Sequence, residues 1–408
     1  MKKMLFKKEG LSLRILIGFI LGILIGITSP SLSNSIKFLG DIYLNLIKML
    51  ITPLVFCSVY CSILSLKNIK QLKDLGFKTI LLFAGLFIGC CIISLILGYV
   101  INPGKGVILV SEWAGTLADI NLSSFFKKIV SPNILQSFVS GETLPVILFT
   151  IFFGLATLIH TEKTSSGIDF IKGVTSLRDI LYKTFGYFME FSPLGVMALM
   201  ASTLSEYGSS IFGNLAKYIL TCWICCAVCF LFILVLPTIF YTKISFKKYI
   251  KACGKVMLVA MSTTSSAATL PTTIKVCTED LECNRDIVNF VAPLGCTINM
   301  CGGACSFMCL MVFTSQINNI ILPINTIILA IVVATLMNMA APGIPGGGIV
   351  LGATFLSIIG LPLEFIGVYA GIYKILDMAY TSMNVLGDVS SNVILNKGFG
   401  INERSCKT

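Results

Sequence analysis

The chain has 408 residues, of which 56% are hydrophobic and only 12% are charged. Soluble domains carry about 25% charged residues, so this composition excludes an ordinary soluble protein and indicates a polytopic membrane protein. The net charge of +11 does not indicate nucleic-acid binding, because the basic residues collect in alternate loops between apolar runs.

The distribution of Lys and Arg predicts the orientation in the membrane. Basic residues precede the first apolar segment and follow the second, fourth and sixth, whereas the loops around 205–210 and 315–319 carry none. By the positive-inside rule, the basic loops face the cytoplasm. We therefore expect a multi-pass protein of the cell (inner) membrane whose N- and C-termini are both cytoplasmic.

Apolar segments of roughly 20 residues or more predict membrane-spanning helices. In chain order they cover 12–29, 39–65, 75–102, 143–160, 170–203 and 211–241, with a polar connector at 103–130 that we expect outside the membrane. Pro53, Pro145 and Pro193 lie inside these segments, where neighbouring helices can satisfy the freed backbone groups. No segment shows convincing strand alternation, so the predicted fold class is all-α.

The sixteen cysteines lie almost entirely in apolar segments. Cys222, Cys225, Cys226 and Cys229 share one helical face, where cysteine acts as a small packing residue. A metal site at this set, or at Cys296, Cys301 and Cys305, is disfavoured because no His or carboxylate joins either set.

After Lys255 the apolar stretches are interrupted by small, hydroxylic or Gly/Pro-rich runs. A run of small and hydroxylic residues, 261–271, separates two apolar stretches that are each too short to span, and a Gly/Pro-rich run, 340–348, divides another stretch in the same way. Paired interruptions of this kind indicate the substrate site of a transporter built from inverted repeats. Between them, Asn299 and Met300 are flanked by glycines, which predicts a helix that unwinds there.

Each interruption has a simpler interpretation. A Ser/Thr run is often a contact between helices, and the glycine string could be an ordinary loop. It is not a phosphate-binding loop, because it lacks the Gly-Lys-Ser/Thr ending. The combination of two interruptions, an unwinding helix and an acidic helix favours a binding site in this part of the chain.

The last apolar segment carries Asp377, Asn384 and Asp388 at i, i+7 and i+11, positions that fall close to one face of a helix. An ionised Asp at the bilayer centre costs about 2.5–3.5 kcal/mol on insertion scales. We therefore predict that this face lines a cavity or an ion path.

These features together resemble the dicarboxylate/amino acid:cation symporter family, which has the glutamate-transporter fold. The matching motifs are Met49–Phe56, Leu144–Ile147, Ser192–Gly195, Ser265–Pro271, Asn299-Met300, Gly343–Gly348 and the helix from Asp377 to Asp388. The resemblance implies eight transmembrane helices plus two re-entrant helical hairpins, inverted repeats, a homotrimer and an elevator motion. It also implies a transporter and not an enzyme.

The resemblance divides the chain into a scaffold and a transport domain. The scaffold would hold helices one and two (1–74) and helices four and five (143–210). The transport domain would hold helix three with the extracellular connector (75–142), then helices six to eight (211–408) with hairpins at about 246–280 and 318–360.

The family's binding residues carry over where this chain matches. The substrate would be bound by Ser265, Ser266, Gly303, Ile344, Gly348, Asp377, Tyr380, Thr381 and Asn384. Within this set, Asp377 would bind the α-ammonium group, and Ser266 with Asn384 the α-carboxylate. Sodium would be bound by Gly295, Thr297, Asn299, Met300, Asn338, Met339, Ala341, Asn384 and Asp388, because small cations prefer hard oxygen ligands.

Two departures from the family pattern concern the substrate. Members that take aspartate or glutamate place an Arg where this chain has Tyr380, and an Arg common in prokaryotic members corresponds to Thr264. A buried acidic side chain without a partner is costly, so a neutral substrate is favoured. Lys374 is a candidate cation for an acidic substrate. At i, i+3 it could instead pair with Asp377, and the spacing favours this pair.

A third departure concerns the ions. Cys301 replaces an acid of the family motif, and Phe83, Leu86 and Phe87 stand where ligands of a third sodium would come. The acid that carries a proton in animal members corresponds to Phe307. These changes indicate one or two co-transported sodium ions.

The sequence therefore predicts a secondary symporter that moves a small, neutral amino acid with sodium across the bilayer, with no other cofactor and no nucleic acid. The alternative is a glutamate or aspartate (dicarboxylate) symporter coupled to sodium or protons, or an uncoupled channel or receptor on the same fold. A hydrolase would need a base beside a serine nucleophile, and His160, the one histidine, is remote in sequence.

Overall fold

The computed structural model describes residues 11–64, 72–106, 130–164, 167–207, 211–339, 347–363 and 365–399. Within these ranges the regular structure is helical and no strand is present. This confirms the predicted all-helical class. The polar connector from 107 to 129 and the tip of the second predicted hairpin, 340–346, lie outside the described residues.

The helices are numbered here in chain order. They are α1 (Leu11–Thr28), α2 (Pro30–Leu64), α3 (Phe77–Ile101), α4 (Ile134–Ser140), α5 (Thr143–Lys163), α6 (Ile168–Met189), α7 (Ser192–Tyr207), α8 (Ile211–Cys229), α9 (Leu236–Thr242), α10 (Phe246–Thr263), α11 (Ser266–Lys275), α12 (Arg285–Ile298), α13 (Cys301–Ile317), α14 (Ile324–Asn338), α15 (Gly347–Ile359) and α16 (Ile366–Gly398). Three π-helical turns, Leu72–Gly76, Phe230–Val235 and Val276–Asp280, precede α3, join α8 to α9 and follow α11.

Three stretches of the described residues are long and apolar enough to cross a membrane by length and composition. They are Asp74–Ile101, Gly213–Thr242 and Arg285–Ile317. The last is also largely buried inside the protein, which places it in the interior of the helix bundle instead of at its lipid-facing surface.

One group of helices packs around α2 and α7. The helices α1 and α2 lie against α7, and α5 and α6 lie against α2. Small residues permit the closest approach: a Cβ atom at Gly18 or Gly22 would collide with the backbone of Pro193 or Met197. The close approach of α1 to α7 therefore depends on these glycines.

The predicted helix at 170–203 is wrong in one respect, because the structure has two helices there, α6 and α7. The amides of Glu190 and Phe191 bond three residues back, to the carbonyls of Tyr187 and Phe188 at 3.1 and 3.0 Å. Pro193 follows and has no N–H to continue the helix. The turn also places the Glu190 carboxylate 2.7 Å from the guanidinium group of Arg14. This ion pair joins α1 to the turn before α7.

The remaining helices surround α16. It packs against α10, α12 and α13, and α3 packs against α8 and α13. Tyr218, Phe313 and Phe365 form a buried aromatic cluster at this core, with ring centroids 4.5–5.6 Å apart. The contacts of α16 with α7 link the two groups. The proposed division into scaffold and transport domains agrees with this packing and stays a prediction.

Every cysteine in the described ranges is a free, buried thiol. The sulfurs of Cys90, Cys229 and Cys305 lie within 4.8 Å of one another and join α3, α8 and α13. The structure thus brings together members of the two sets that the sequence had kept apart. We interpret the cluster as packing between three helices, the role expected of small apolar residues.

The contact of α1 with α7 yields a stability prediction. Replacing Gly22 by Ala forces a methyl group into the backbone of α7, and overpacking of this kind costs about 1–3 kcal/mol. We expect a lower thermal midpoint in detergent. The matched control is Gly173→Ala on α6, where a Cβ atom would meet nothing within 4 Å; it should leave the midpoint unchanged or raise it. Equal midpoints for the two variants would contradict the packing.

Candidate functional site

The first interruption is a reversal between α10 and α11. Thr264 adopts the left-handed conformation with φ of 48°, and the hydroxyl of Ser265 accepts a hydrogen bond from the amide of Ala268 at 3.3 Å. Ser265 is thus the N-cap of α11, the position where Ser is favoured. The hydroxylic run therefore lets the chain reverse direction while its backbone groups stay satisfied.

The second interruption divides α12 from α13. Asn299 and Met300 are non-helical, with φ/ψ of −91°/81° and −103°/61°, and they are 0% and 4% exposed. The break predicted from the flanking glycines is therefore present. It brings the non-helical backbone of Asn299 and Met300 into the protein interior.

The face of α16 predicted from the spacing of its polar residues is turned inward. Asp377 and Asp388 are 7% and 2% exposed, and Thr381 donates its hydroxyl to Asp377 at 3.0 Å. The amide of Gly302 donates to Oδ1 of Asn384 at 2.7 Å. This bond orients the Asn384 side chain and leaves its NH₂ group as a donor.

Asp388 lies at the break between α12 and α13. It accepts a hydrogen bond from Nδ2 of Asn299 at 2.9 Å, and a Cβ atom at Gly295 would collide with its carboxylate. An ionised carboxylate has about four lone-pair sites, so one amide bond leaves acceptor capacity for a cation. Three residues of the predicted sodium set thus lie together: Gly295, Asn299 and Asp388.

The residues that stand where the family's third sodium ligands would come are apolar. Phe83, Leu86 and Phe87 are buried, and the Phe83 ring lies 3.4 Å from the Cβ position of Gly295. The thiol of Cys301 donates to Oδ1 of Asn299 at 3.2 Å. These side chains offer one soft thiol in place of hard oxygens.

A cavity of about 50 Å³ lies between the turn that joins α10 to α11, the helix break, α14, α15 and α16. A water molecule needs roughly 10–15 Å³ of such space, so the cavity admits a small polar molecule. Most of the predicted substrate residues line it: Ser266, Gly303, Gly348, Asp377, Tyr380, Thr381 and Asn384. Of the others, Ser265 caps α11 and is absent from the lining, and Ile344 lies outside the described residues, as does the predicted sodium ligand Ala341.

Asn338, a member of the predicted sodium set, presents a side-chain oxygen near the cavity. It ends α14, and its Nδ2 donates to the carbonyl of Ala334 at 2.7 Å, while its Oδ1 is buried and has no hydrogen-bond partner among the described residues. A Cβ atom at Gly303 would collide with that oxygen. An unsatisfied buried acceptor costs about 1–3 kcal/mol, so this oxygen is a candidate ligand beside Met300, which also lines the cavity.

Two further residues of the predicted sodium set are Thr297, near the end of α12, and Met339. The Thr297 hydroxyl donates to the carbonyl of Leu294 at 2.9 Å within α12. Met339 is the residue directly after α14.

Lys374 contacts the first hairpin. Its Nζ donates to Oγ1 of Thr264, and Thr264 lines the cavity. The sequence spacing had favoured a pair between Lys374 and Asp377, whereas the structure places the ammonium group at the hairpin tip. A cation therefore lies at the edge of the cavity, on the same helix as Asp377.

Sequence reasoning missed several lining residues, among them Ser306 and Tyr373. The Ser306 hydroxyl bonds that of Tyr369 at 2.6 Å. The signal was available in the spacing, because Ser306 follows Gly303 by three residues and Tyr373 precedes Asp377 by four, which puts each on the same helical face as its partner.

The sequence of the chain is similar to those of known proteins. The family model described as the sodium:dicarboxylate symporter family matches residues 11–398. The chain belongs to this family. It is 30% identical over 407 residues to the proton/sodium-glutamate symport protein of Geobacillus stearothermophilus, with 97% of this chain and 96% of that protein covered.

Other relatives carry related names. The proton/sodium-glutamate symport protein of Bacillus subtilis is 30% identical, with 97% and 94% of the two chains covered. The C4-dicarboxylate transport protein of Laribacter hongkongensis is 27% identical, with 95% and 89% covered.

The family predicted from the motifs is confirmed, and with it a multi-pass membrane transporter that works by symport and is not an enzyme. The names do not support a neutral amino acid as substrate and agree better with the alternative, glutamate or a dicarboxylate.

Tyr380 provides a test of the site's geometry. It is 2% exposed and lines the cavity, and its hydroxyl has no hydrogen-bond partner among the described residues. A buried unpaired hydroxyl destabilises the fold by about 1–3 kcal/mol, so Tyr380→Phe should keep or raise the thermal midpoint without substrate. Tyr369→Phe, which loses the bond to Ser306, should lower it. A fall as large for Tyr380→Phe would show that its hydroxyl is bonded.

Proposed function

We propose that this symporter carries an acidic amino acid, glutamate or aspartate, together with one or two sodium ions. The observation that supports the proposal is that Lys374 bonds cavity-lining Thr264 while buried Asp377, on the same helix, lines the cavity itself. The cavity thereby has one anion in its wall and one cation at its edge. An acidic amino acid presents an ammonium group and two carboxylates, so it matches both charges.

The bound orientation follows from the donors and acceptors. Asp377, held by Thr381 at 3.0 Å, accepts the substrate ammonium group. The NH₂ group of Asn384 and the hydroxyl of Ser266 donate to the α-carboxylate. Lys374 binds the side-chain carboxylate, with charge-assisted hydrogen bonds that are about twice as strong as neutral ones.

Charge also discriminates between acidic substrates. A C4-dicarboxylate has no ammonium group, so it would bring two carboxylates towards Asp377 and leave that acid without a cation. Like charges in a buried site cost several kcal/mol. The presence of Asp377 therefore favours an amino acid over a simple dicarboxylate, although some relatives are named as C4-dicarboxylate transport proteins.

The sodium ions are proposed at the helix break. Asp388 and Asn384, with the carbonyls of Gly295 and Asn299, form the first site. The second takes the carbonyls of Thr297, Asn338, Met339 and Ala341 beside Met300, and the orphaned Oδ1 of Asn338 is an additional oxygen there. Oxygen ligands with one full negative charge suit a small hard cation, and the apolar groups around Phe83 leave no third site.

The transport motion is proposed from the packing. Helices α1, α2, α5, α6 and α7 form the scaffold, and the helices around α16 move against it as the elevator body, across the contact of α16 with α7. A homotrimer and cytoplasmic termini complete the proposal, from the family's pattern and the positive-inside rule.

The decisive experiment is uptake into proteoliposomes under an imposed sodium gradient. Labelled glutamate, aspartate, succinate, serine and alanine are compared at equal concentration. We expect glutamate or aspartate to accumulate and to require sodium. Preferential serine or alanine uptake would overturn the acidic substrate, and preferential succinate uptake would overturn the amino acid. Current that exceeds the labelled flux would indicate a channel.

Lys374→Met tests the proposed charge partner. A hydrogen bond to a charged group contributes about 1.5–3 kcal/mol, so the KM for glutamate should rise about 10- to 100-fold. The control is Lys248→Met, which removes a lysine that pairs with exposed Glu282 at 2.7 Å and should leave the KM unchanged. If the two variants have equal KM values, Lys374 does not bind the substrate.

Asp388→Asn tests the first sodium site. The substitution keeps the shape of the side chain and removes its charge, so we expect the sodium concentration for half-maximal uptake to rise at least about tenfold, which corresponds to 1.4 kcal/mol. Asp286→Asn, at an exposed position in the first turn of α12, should have no effect. An unchanged sodium dependence in Asp388→Asn would place the ion elsewhere.

A further inference from the structure

Three lysines from three different helix ends lie at one end of two membrane-spanning stretches. Lys78 is near the start of the stretch Asp74–Ile101, and Lys243 directly follows the stretch Gly213–Thr242. Lys397 lies in the last turn of α16. All three residues are exposed, and together they are called the lysine cluster.

Contacts of aromatic side chains show that these helix ends are neighbours. The ammonium group of Lys78 lies over the ring of Phe399, 4.5 Å from its centroid, and Phe399 is the residue that follows α16. The hydroxyl of Tyr241, near the end of α9, lies 3.5 Å from the Cβ position of Gly398. The start of α3 and the end of α9 therefore both contact the end of α16, which brings the lysine cluster together.

The lysine cluster makes no ion pair within the described part of the chain. Other lysines on this side of the protein do, since Lys248 pairs with Glu282 at 2.7 Å and Lys255 with Asp280 at 2.8 Å. The acid closest to the cluster in sequence, Asp74, is exposed and forms no ion pair with it. The cluster is therefore a concentration of positive charge that the described residues do not neutralise.

Helix dipoles explain only part of this arrangement. A cation at the C-terminus of a helix is favourable, which suits Lys243 and Lys397. Lys78 lies near the beginning of its helix, where the dipole disfavours a cation. Like charges brought to one place also repel each other, so the cluster indicates an anion supplied from outside the chain.

The position of the cluster relative to the membrane indicates which anion this is. Exposed aromatic residues lie beside it in the sequence: Phe77 directly before Lys78, and Phe240 and Tyr241 shortly before Lys243. Aromatic residues at the end of a membrane-spanning stretch mark the level of the lipid headgroups. The lysines are therefore at the height of the phosphate groups of the bilayer.

We propose that the lysine cluster binds the headgroup of an anionic phospholipid such as phosphatidylglycerol. Each ammonium group has three donors for the phosphate oxygens. The acyl chains lie along the exposed apolar surface of α3, where Ile80 and Leu81 follow Lys78. The proposal concerns the surface of the protein and does not depend on the identity of the transported substrate.

Native mass spectrometry of the purified full-length protein in detergent measures the binding of single lipids. Phosphatidylglycerol is compared with zwitterionic phosphatidylcholine that has the same acyl chains. Each lysine near an anionic lipid strengthens binding about fivefold, so we expect the Kd for phosphatidylglycerol to be about 100-fold lower. Salt should reduce this preference because it screens exposed charges. Equal Kd values for the two lipids would overturn the proposal.

Replacing all three lysines of the cluster by Gln should reduce the preference for phosphatidylglycerol to within about twofold. The matched control removes the same charge elsewhere, by replacing Lys105, Lys183 and Lys251 together by Gln. These lysines are also exposed and form no ion pair within the described ranges. The control should keep the preference, and an equal loss in both triple variants would show that net charge alone attracts the lipid.

Single substitutions of Lys78 separate its charge from its packing. Lys78→Gln should lower the preference about fivefold. Lys78→Arg keeps a cation that can stack on the Phe399 ring, and it should keep the preference of the parent protein. If the Arg variant loses as much as the Gln variant, the lipid does not recognise the charge at this position and the proposal is wrong.

Competition distinguishes a lipid headgroup from a soluble phosphate. Glycerol 3-phosphate has the same phosphate chemistry without acyl chains, so an excess of it should leave the binding of phosphatidylglycerol unchanged. If it displaces the lipid at equal concentration, the cluster binds a soluble phosphate compound and the lipid proposal is overturned.

Discussion

Two buried carboxylates, those of Asp377 and Asp388, impose the main constraint on this structure. A charge inside a membrane protein needs partners, and α16 itself supplies the Thr381 hydroxyl, which donates to Asp377 at 3.0 Å. A partner of Asp388 comes from an element that departs from regular helix, Asn299 at the break between α12 and α13. The interruptions and the acids are therefore parts of one arrangement.

The glycines determine how closely these elements approach α16. A Cβ atom at Gly302 would collide with the backbone of Tyr380, and one at Gly295 with Asp388. Small residues let helix backbones approach closely in membranes, where the hydrophobic effect does not drive helices together. The Gly-flanked motif around Asn299 thus interrupts the helix and lets its backbone approach α16 closely.

Much of this could be predicted from the sequence, because polar residues in apolar segments are informative. The first hairpin reversal, the break at Asn299 and the inward face of α16 all follow from that rule. The break before α7 was missed because Pro193 was interpreted as lying inside one continuous segment, whereas the helix ends before it. The partner of Lys374 was misjudged because a long flexible side chain can reach another element, Thr264, which spacing along one helix does not reveal.

The apolar lining around Phe83 has a consequence for energetics. In a coupled transporter, every co-transported sodium ion multiplies the substrate gradient that can be sustained by the sodium gradient; with a tenfold gradient each ion contributes about 1.4 kcal/mol. Under the proposed function, a chain with Phe83, Leu86 and Phe87 in place of oxygen ligands would give up one such factor. It would then concentrate its substrate less steeply and use less of the sodium gradient for each molecule transported.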